Sequence, residues 1–263
     1  MYKGAVFFDY DGTLTDETVG INTPTPKTIL ALERLRANGY ATFLTTGRMK
    51  ALTTLVSGKF TGLVTSNGAY SEVDGKTISN LYIDKEILSK AVAYMEKENI
   101  CYALQRQTVA YTNGLKTEHF LYMLDNFNLA RTLFKPIEAD TELIANQLII
   151  SYESDEAHEK MCEAFKNQLS IKRHRFCLSS DINDVNVSKA NGVKAVLEYL
   201  NIPPENAYAF GDGENDYTML ESVCHGVAMG VHTPVLKNVA EFVTKSVKED
   251  GIYYALSEHY KLI

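Results

Sequence analysis

The feature that most constrains the fold of this chain is a rhythm. Short apolar runs recur towards both ends of the sequence, and each breaks off into a cluster of carboxylates, hydroxyls, amides and glycines. GAVFF leads into Asp9-Tyr10-Asp11-Gly12-Thr13, and YATFL leads into Thr45-Thr46-Gly47-Arg48. GLVT leads into Ser66-Asn67-Gly68, and NAYAF into Gly211-Asp212-Gly213-Glu214-Asn215-Asp216. Between the first two runs, PKTILALERLRANG keeps Ile29, Leu32 and Leu35 at helical spacing, with Pro26 near its start and Asn38-Gly39 as a stop. A strand, a helix and a second strand in that order read as a βαβ unit, whose strands lie parallel.

The same rhythm returns after about residue 187. KANGVKAVLEYLNI reads as a helix, NAYAFGD as a strand, ENDYTMLESV as a helix, GVAMG as a strand, PVLKNVAEF as a helix and FVTKS as a final strand. The middle of the chain has another texture. IDKEILSKAVAYMEKENI and TEHFLYMLDNF are helical, whereas CYALQ, TVAYT, NQLIISY and HRFCLS are isolated strands, a pattern of α+β type. The expected architecture is therefore α/β: a doubly wound parallel-sheet core from residues 1–81 and 186–263, with an α+β module inserted at residues 82–185.

At 263 residues the chain can bury one large core or two modest ones. No apolar run approaches the roughly 20 residues that a membrane helix requires, so no membrane partner is expected. The start, MYKGAVFFDYDG, reaches acidic residues before a signal-peptide core could form, and a cytoplasmic location is expected. Cys101, Cys162, Cys177 and Cys224 make no CxxC pair and are expected to be reduced. A net charge of −7 disfavours a broad nucleic-acid footprint. The longest basic cluster, Lys172-Arg173-His174-Arg175, is short and reads as a solvated edge or a contact to an anionic substrate.

In an open parallel sheet the ligand crevice lies beyond the carboxyl ends of the strands, where these polar clusters fall. Asp9 and Asp11 are two residues apart, a spacing that aims two carboxylates at one region as a strand opens into a turn. Like charges that close require a cation or a proton. With Asp212 as a third acidic donor and no His or Cys nearby, hard oxygen coordination of Mg²⁺ fits best. Competing motifs fail on single residues. An EF-hand needs Gly where Leu14 stands, and a dinucleotide fingerprint needs a small residue where Asp216 stands. Ser188 reads as the N-cap of the helix that follows, which places Lys189 in a first turn whose dipole disfavours a cation. That local conflict marks Lys189, with Arg48, as a candidate for neutralising a phosphoryl group on an acidic rim.

The segment Asp9-Tyr10-Asp11-Gly12-Thr13-Leu14-Thr15 resembles the DxDGT(L) first motif of the haloacid dehalogenase-like superfamily. The other motifs follow in order: Thr46 in LTTGR resembles the second-motif hydroxyl, Lys189 the third-motif lysine, and GDGEND the acidic fourth motif with Asp212, Asn215 and Asp216. The insertion resembles a type IIB cap, and TGR, SNGA and GDGENDYTML resemble the Cof-type sugar-phosphate phosphatases. The resemblance implies a three-layer Rossmann-like core, Mg²⁺, and hydrolysis of a small-molecule phosphate ester by a monomer or weak homodimer. It implies Asp9 as nucleophile and metal ligand, and Asp11 as general acid and base with its backbone carbonyl at the metal. Asp212 and Asp216 complete the acidic set, while Thr46 and Lys189 bind the phosphoryl group. Asn215 and Asp216 orient Lys189, and Gly47, Arg48, Asn67 and Gly68 are further substrate contacts. Arg106, Gln147 and Arg173 to Arg175 are candidate specificity residues.

Two other readings remain at this point. A phosphomutase would return the phosphoryl group to a second sugar hydroxyl, and free phosphate release without a bisphosphate activator separates the two. A regulatory metal-binding protein would keep the motif without turnover, which the intact set of Asp9, Asp11, Lys189 and Asp212 argues against.

Overall fold

A computed structural model describes residues 2–174 and 177–263, which form two compact units. The first comprises residues 1–46, 55–79 and 188–263. Its sheet is built on β1 (Gly4–Phe8), which pairs in parallel with β2 (Tyr40–Thr45) on one side and with β12 (Ala207–Gly211) on the other. The sheet extends through β3 (Gly62–Thr65), β4 (Tyr70–Val73) and β5 (Lys76–Asn80) at one edge, and through β13 (His225–Ala228) and β14 (Phe242–Val243) at the other.

All five residues of β1 are buried, because both faces of the sheet are covered. Side-chain alternation divides them. Phe7 stacks on Phe43 at 5.1 Å within the cluster that holds Val193, Val196 and Leu197 of the helix Lys189–Leu200. Phe8 stacks on Phe210 at 5.1 Å on the opposite face, with Leu32 and Leu35 of the helix Pro26–Ala37. Three layers result, in agreement with the expected doubly wound core. Thr25 caps the Pro26–Ala37 helix, its hydroxyl accepting from the Thr28 amide, and Pro26 occupies the first turn where its missing N–H costs nothing.

The core departs from the sequence reading in three places. GLVTSNGAY, read as one strand and its end, contains a reversal: β4 runs antiparallel to β3, so one edge of the sheet is mixed. Successive left-handed residues, Ser66, Asn67 and Gly68, make that reversal. PVLKNVAEF, expected as a helix, forms only a short 3₁₀ turn at Pro234–Asn238, and Val239 leaves helical geometry with φ −125°. The final strand is two residues long and is followed by an unanticipated helical segment, Gly251–Tyr254 running into Ala255–His259, which buries Ile252, Ala255 and Leu256.

The second unit comprises residues 47–54 and 80–187. Its sheet has the order β10 (Leu169–Arg173), β11 (Ser179–Asp184), β9 (Gln147–Ser151), β6 (Cys101–Gln105), β7 (Ala110–Thr112) and β8 (Phe134–Pro136). The helices Lys85–Lys97, Glu118–Asn126 and Asp155–Phe165 belong to this unit, the α+β texture read from the sequence. Residues 47–54, assigned to the core from sequence, cluster here instead. Met49 is fully buried among Ala103, Phe120 and Ile149, and the Ala51 amide donates to the Gln107 carbonyl at 2.9 Å. Of HRFCLS, read as a strand, Ser179 opens β11 while His174, Cys177 and Leu178 lie outside the strands, and Arg175 and Phe176 lie outside the described residues. Among the described residues no helix is long and apolar enough to cross a membrane.

Candidate active site

Parallel register gathers the site. Phe8 lies level with Phe210 on one neighbour and Leu44 on the other, so Asp9, Gly211 and Thr45 emerge together at the carboxyl edge of the sheet. The Asp9 amide donates to the Phe210 carbonyl at 2.9 Å, which fixes the backbone where the strand ends. The chain then turns at once: the Leu14 and Thr15 amides both donate to the Tyr10 carbonyl, and Gly12 takes φ +84°. A Cβ on Gly12 would run into the Asp212 carboxylate, so this glycine lets the first acidic loop approach the fourth. Thr13, which the sequence did not single out, donates its hydroxyl to Asp212 Oδ1 at 2.9 Å.

Lys189 stands at the centre of the charge arrangement. Its side chain is wholly buried and donates to Asp9 Oδ1 and to Asp216 Oδ1, each at 2.6 Å. These partners compensate a cation held at the wrong end of a helix dipole. Ser188 occupies the cap position, but its hydroxyl donates to Asn191 Oδ1 and no side-chain cap bond to the backbone forms. The second oxygen of Asp216 accepts from the Asp212 and Gly213 amides, both at 2.9 Å. Asp216 thus anchors both the lysine and the loop that carries Asp212.

Asp9, Asp212 and Asp216 bring one carboxylate oxygen each within 4.8 Å of the others. One lysine cannot balance three clustered carboxylates, of which Asp9 and Asp216 are buried and Asp212 is partly buried. Burial first, and then the Asp216 charge, push the Asp9 carboxyl well above its ordinary range, against the pull of Lys189. Burial, Asp9 and Asp216 raise Asp212 in the same direction, while the paired carboxylates outweigh desolvation and raise Lys189. The site therefore has an excess of hard negative oxygen and room for positive charge, which suits Mg²⁺. The Asp11 side chain is exposed and stands outside that carboxylate trio.

The hydroxyl and amide candidates line up beside this group. Thr46 is buried and its amide donates to the Val64 carbonyl, while its own carbonyl accepts from the Asn67 amide at 3.1 Å. Asn67 in turn accepts from the Asn215 side chain at 3.2 Å. Gly68, at φ +99°, sits where a Cβ would strike the Ser188 carbonyl, so the turn after β3 packs against the start of the lysine helix. Asp9, Thr46, Asn67, Lys189, Asp212, Asn215 and Asp216 thus belong to one unit.

Other candidates fall in the second unit. The Gly47 carbonyl accepts from Gln147 Nε2 at 3.0 Å, and Arg48 follows in the same segment. Arg106 holds the Ile144 and Glu142 carbonyls and lies 5.0 Å over the Tyr111 ring, and Arg173 pairs with Asp155 at 2.6 Å. Arg175 lies outside the described residues.

A family profile described as haloacid dehalogenase-like hydrolase matches residues 6–256, so the chain belongs to that family. It is accordingly a phosphoric monoester hydrolase with the Cof-type pattern. YkrA of Bacillus subtilis is 29% identical over 255 residues, covering 96% of each chain. A 5-amino-6-(5-phospho-D-ribitylamino)uracil phosphatase of the same organism, YitU, is 26% identical and covers 98% of this chain and 97% of its own. Among solved structures, a subclass IIB sugar phosphatase of the family superposes with a TM-score of 0.85 at 26% identity, over 99% of this chain and all of the other.

Proposed function

We propose that the protein hydrolyses small phosphomonoesters, sugar phosphates among them, in the presence of Mg²⁺ and through an aspartyl phosphate on Asp9. The observation that carries this reading is the strand-end Asp9, buried, bound to Lys189 at 2.6 Å and grouped with Asp212. Asp9 and Asp212 would supply oxygens to the cation, while both Asp216 oxygens are engaged by Lys189 and two backbone amides. When bound, the cation supplies electrostatic stabilisation of the transferring phosphoryl group. Lys189 adds a second fixed positive charge, and Thr46 and Asn67 add polar groups along the same rim. Asp9, held by its strand and by Lys189, attacks phosphorus; exposed Asp11, in the turn, protonates the leaving oxygen and then takes a proton from the hydrolytic water. The sugar phosphatase among the structural relatives supports the substrate class.

The decisive measurement traps the intermediate. Enzyme quenched during turnover and reduced with borohydride should carry homoserine at position 9. Asp9→Asn should form no covalent adduct, whereas Asp11→Asn should slow turnover by about 10²–10⁴ and still form the adduct with good leaving groups. Label at position 11, or normal turnover by Asp9→Asn, would overturn the assignment. Phosphate release should also stop in excess chelator and return with Mg²⁺.

A further inference from the structure

Two threonines of β2 are wholly buried, and the hydroxyls of both, Thr42 Oγ1 and Thr45 Oγ1, have no hydrogen-bond partner among the described residues. A buried hydroxyl without a partner is costly, and valine would fill either position with nearly the same shape and no such cost. The two threonines differ in what stands beside them. Thr42 pairs in register with Val6, and Leu44, which shares its face, packs in the cluster of Val6, Phe8 and Leu32. Its neighbours are apolar.

Thr45 lies on the other face. Phe7 and Phe43 stack on the side covered by the Lys189–Leu200 helix, and one further step of alternation along each strand brings Asp9 and Thr45 to that same side. Phe8 is level with Leu44, so Asp9 and Thr45 follow as neighbours, while on its far side Thr45 pairs with Val64 of the same cluster. Adjacent strands lie about 4.8 Å apart, a span that two short side chains can bridge. One neighbour of the Thr45 hydroxyl is therefore a valine and the other is the Asp9 carboxylate.

Donor and acceptor are complementary across this gap. An ionised carboxylate has about four acceptor sites, and Asp9 receives one side-chain donor among the described residues, Lys189 at Oδ1. Thr45 carries a donor that has no acceptor. The terminal torsion of an aspartate is soft, so a turn of the Asp9 carboxylate brings an oxygen towards the hydroxyl without moving either strand. We propose that Thr45 is a positioning residue, on the reading of Asp9 as nucleophile: its hydroxyl donates to the Asp9 carboxylate and, together with Lys189, fixes the direction in which the attacking oxygen points.

Thr42 is the matched control, a buried threonine of the same strand with no carboxylate beside it. The experiment mixes the folded protein with para-nitrophenyl phosphate and Mg²⁺, quenches it within a single turnover and measures aspartyl phosphate at position 9. Thr45→Val should slow formation of the adduct by about 10- to 100-fold, the scale of one hydrogen bond to a charged group, and leave KM unchanged. Thr45→Ser, which keeps the hydroxyl, should restore most of the rate, and Thr42→Val should match the parent. Denaturant midpoints of both valine variants should equal or exceed that of the parent, which separates a lost hydrogen bond from a damaged fold. Thr45→Ala also lacks the hydroxyl and should show the same slowing if the valine variant packs badly. Adduct formation at the parental rate in Thr45→Val or Thr45→Ala would overturn the proposal, as would a Thr45→Ser variant as slow as Thr45→Val. An unaltered protein that turns over without any adduct at position 9 would instead remove the reading of Asp9 as nucleophile, and this role with it.

Discussion

At the residue scale, most depends on Lys189. Removing its charge leaves Asp9 and Asp216 buried, close and uncompensated, the circumstance in which breaking a buried pair costs most. Lys189→Met keeps much of the side-chain volume and should still destabilise the fold by about 3–5 kcal/mol, measured as a lowered denaturant midpoint at unchanged slope. A loss below about 1 kcal/mol would mean that one carboxyl takes up a proton at little cost. The sequence marked this lysine through its awkward place in a helix first turn. It could not show that its partners would be residues 180 and 27 positions away, because that pairing is made only when strands and helix assemble.

At the element scale, the tight turn after β1 can be tested with a pair of glycines. Gly12 and Gly20 both have positive φ, +84° and +77°, but only Gly12 faces a wall, the Asp212 carboxylate; nothing stands within 4 Å of a Cβ on Gly20. Gly20→Ala should therefore cost only the left-handed backbone penalty of about 1–2 kcal/mol and keep full activity. Gly12→Ala should add a collision that moves Asp212, and its Mg²⁺ requirement for half-maximal activity should rise by about tenfold or more. Equal behaviour of the two variants in a metal titration would show that the turn does not set the position of Asp212. Turn chemistry of this kind was legible in DYDGT, whereas the reversal at Ser66-Asn67-Gly68 was not. Its first two residues are not glycines and carry no obligate turn signal, yet they hold left-handed conformations because the surrounding core imposes them.

At the scale of the whole molecule, the raised carboxyls couple stability to pH and to metal. An acid whose folded-state pKa stands above its unfolded value adds stability while protonated and loses it as pH rises from the ordinary carboxylate range, about 4, towards neutrality and beyond. Without divalent cation the protein should lose stability across that window through Asp9 and Asp212. Mg²⁺ should raise the melting temperature more at pH 8 than at pH 5, since its ligands must be deprotonated; equal shifts at both would contradict a carboxylate site. What the sequence determined alone is whatever depends on local periodicity and covalent order: the strand–helix rhythm of the core, the acidic and hydroxylic strand ends, and the helix start that exposed Lys189. Tertiary structure alone decided the rest. It drew residues 47–54 into the second unit through the burial of Met49 and reduced PVLKNVAEF to a short turn. The reason is common to both: periodicity reports which face of an element is apolar, while only packing between elements decides what that face meets.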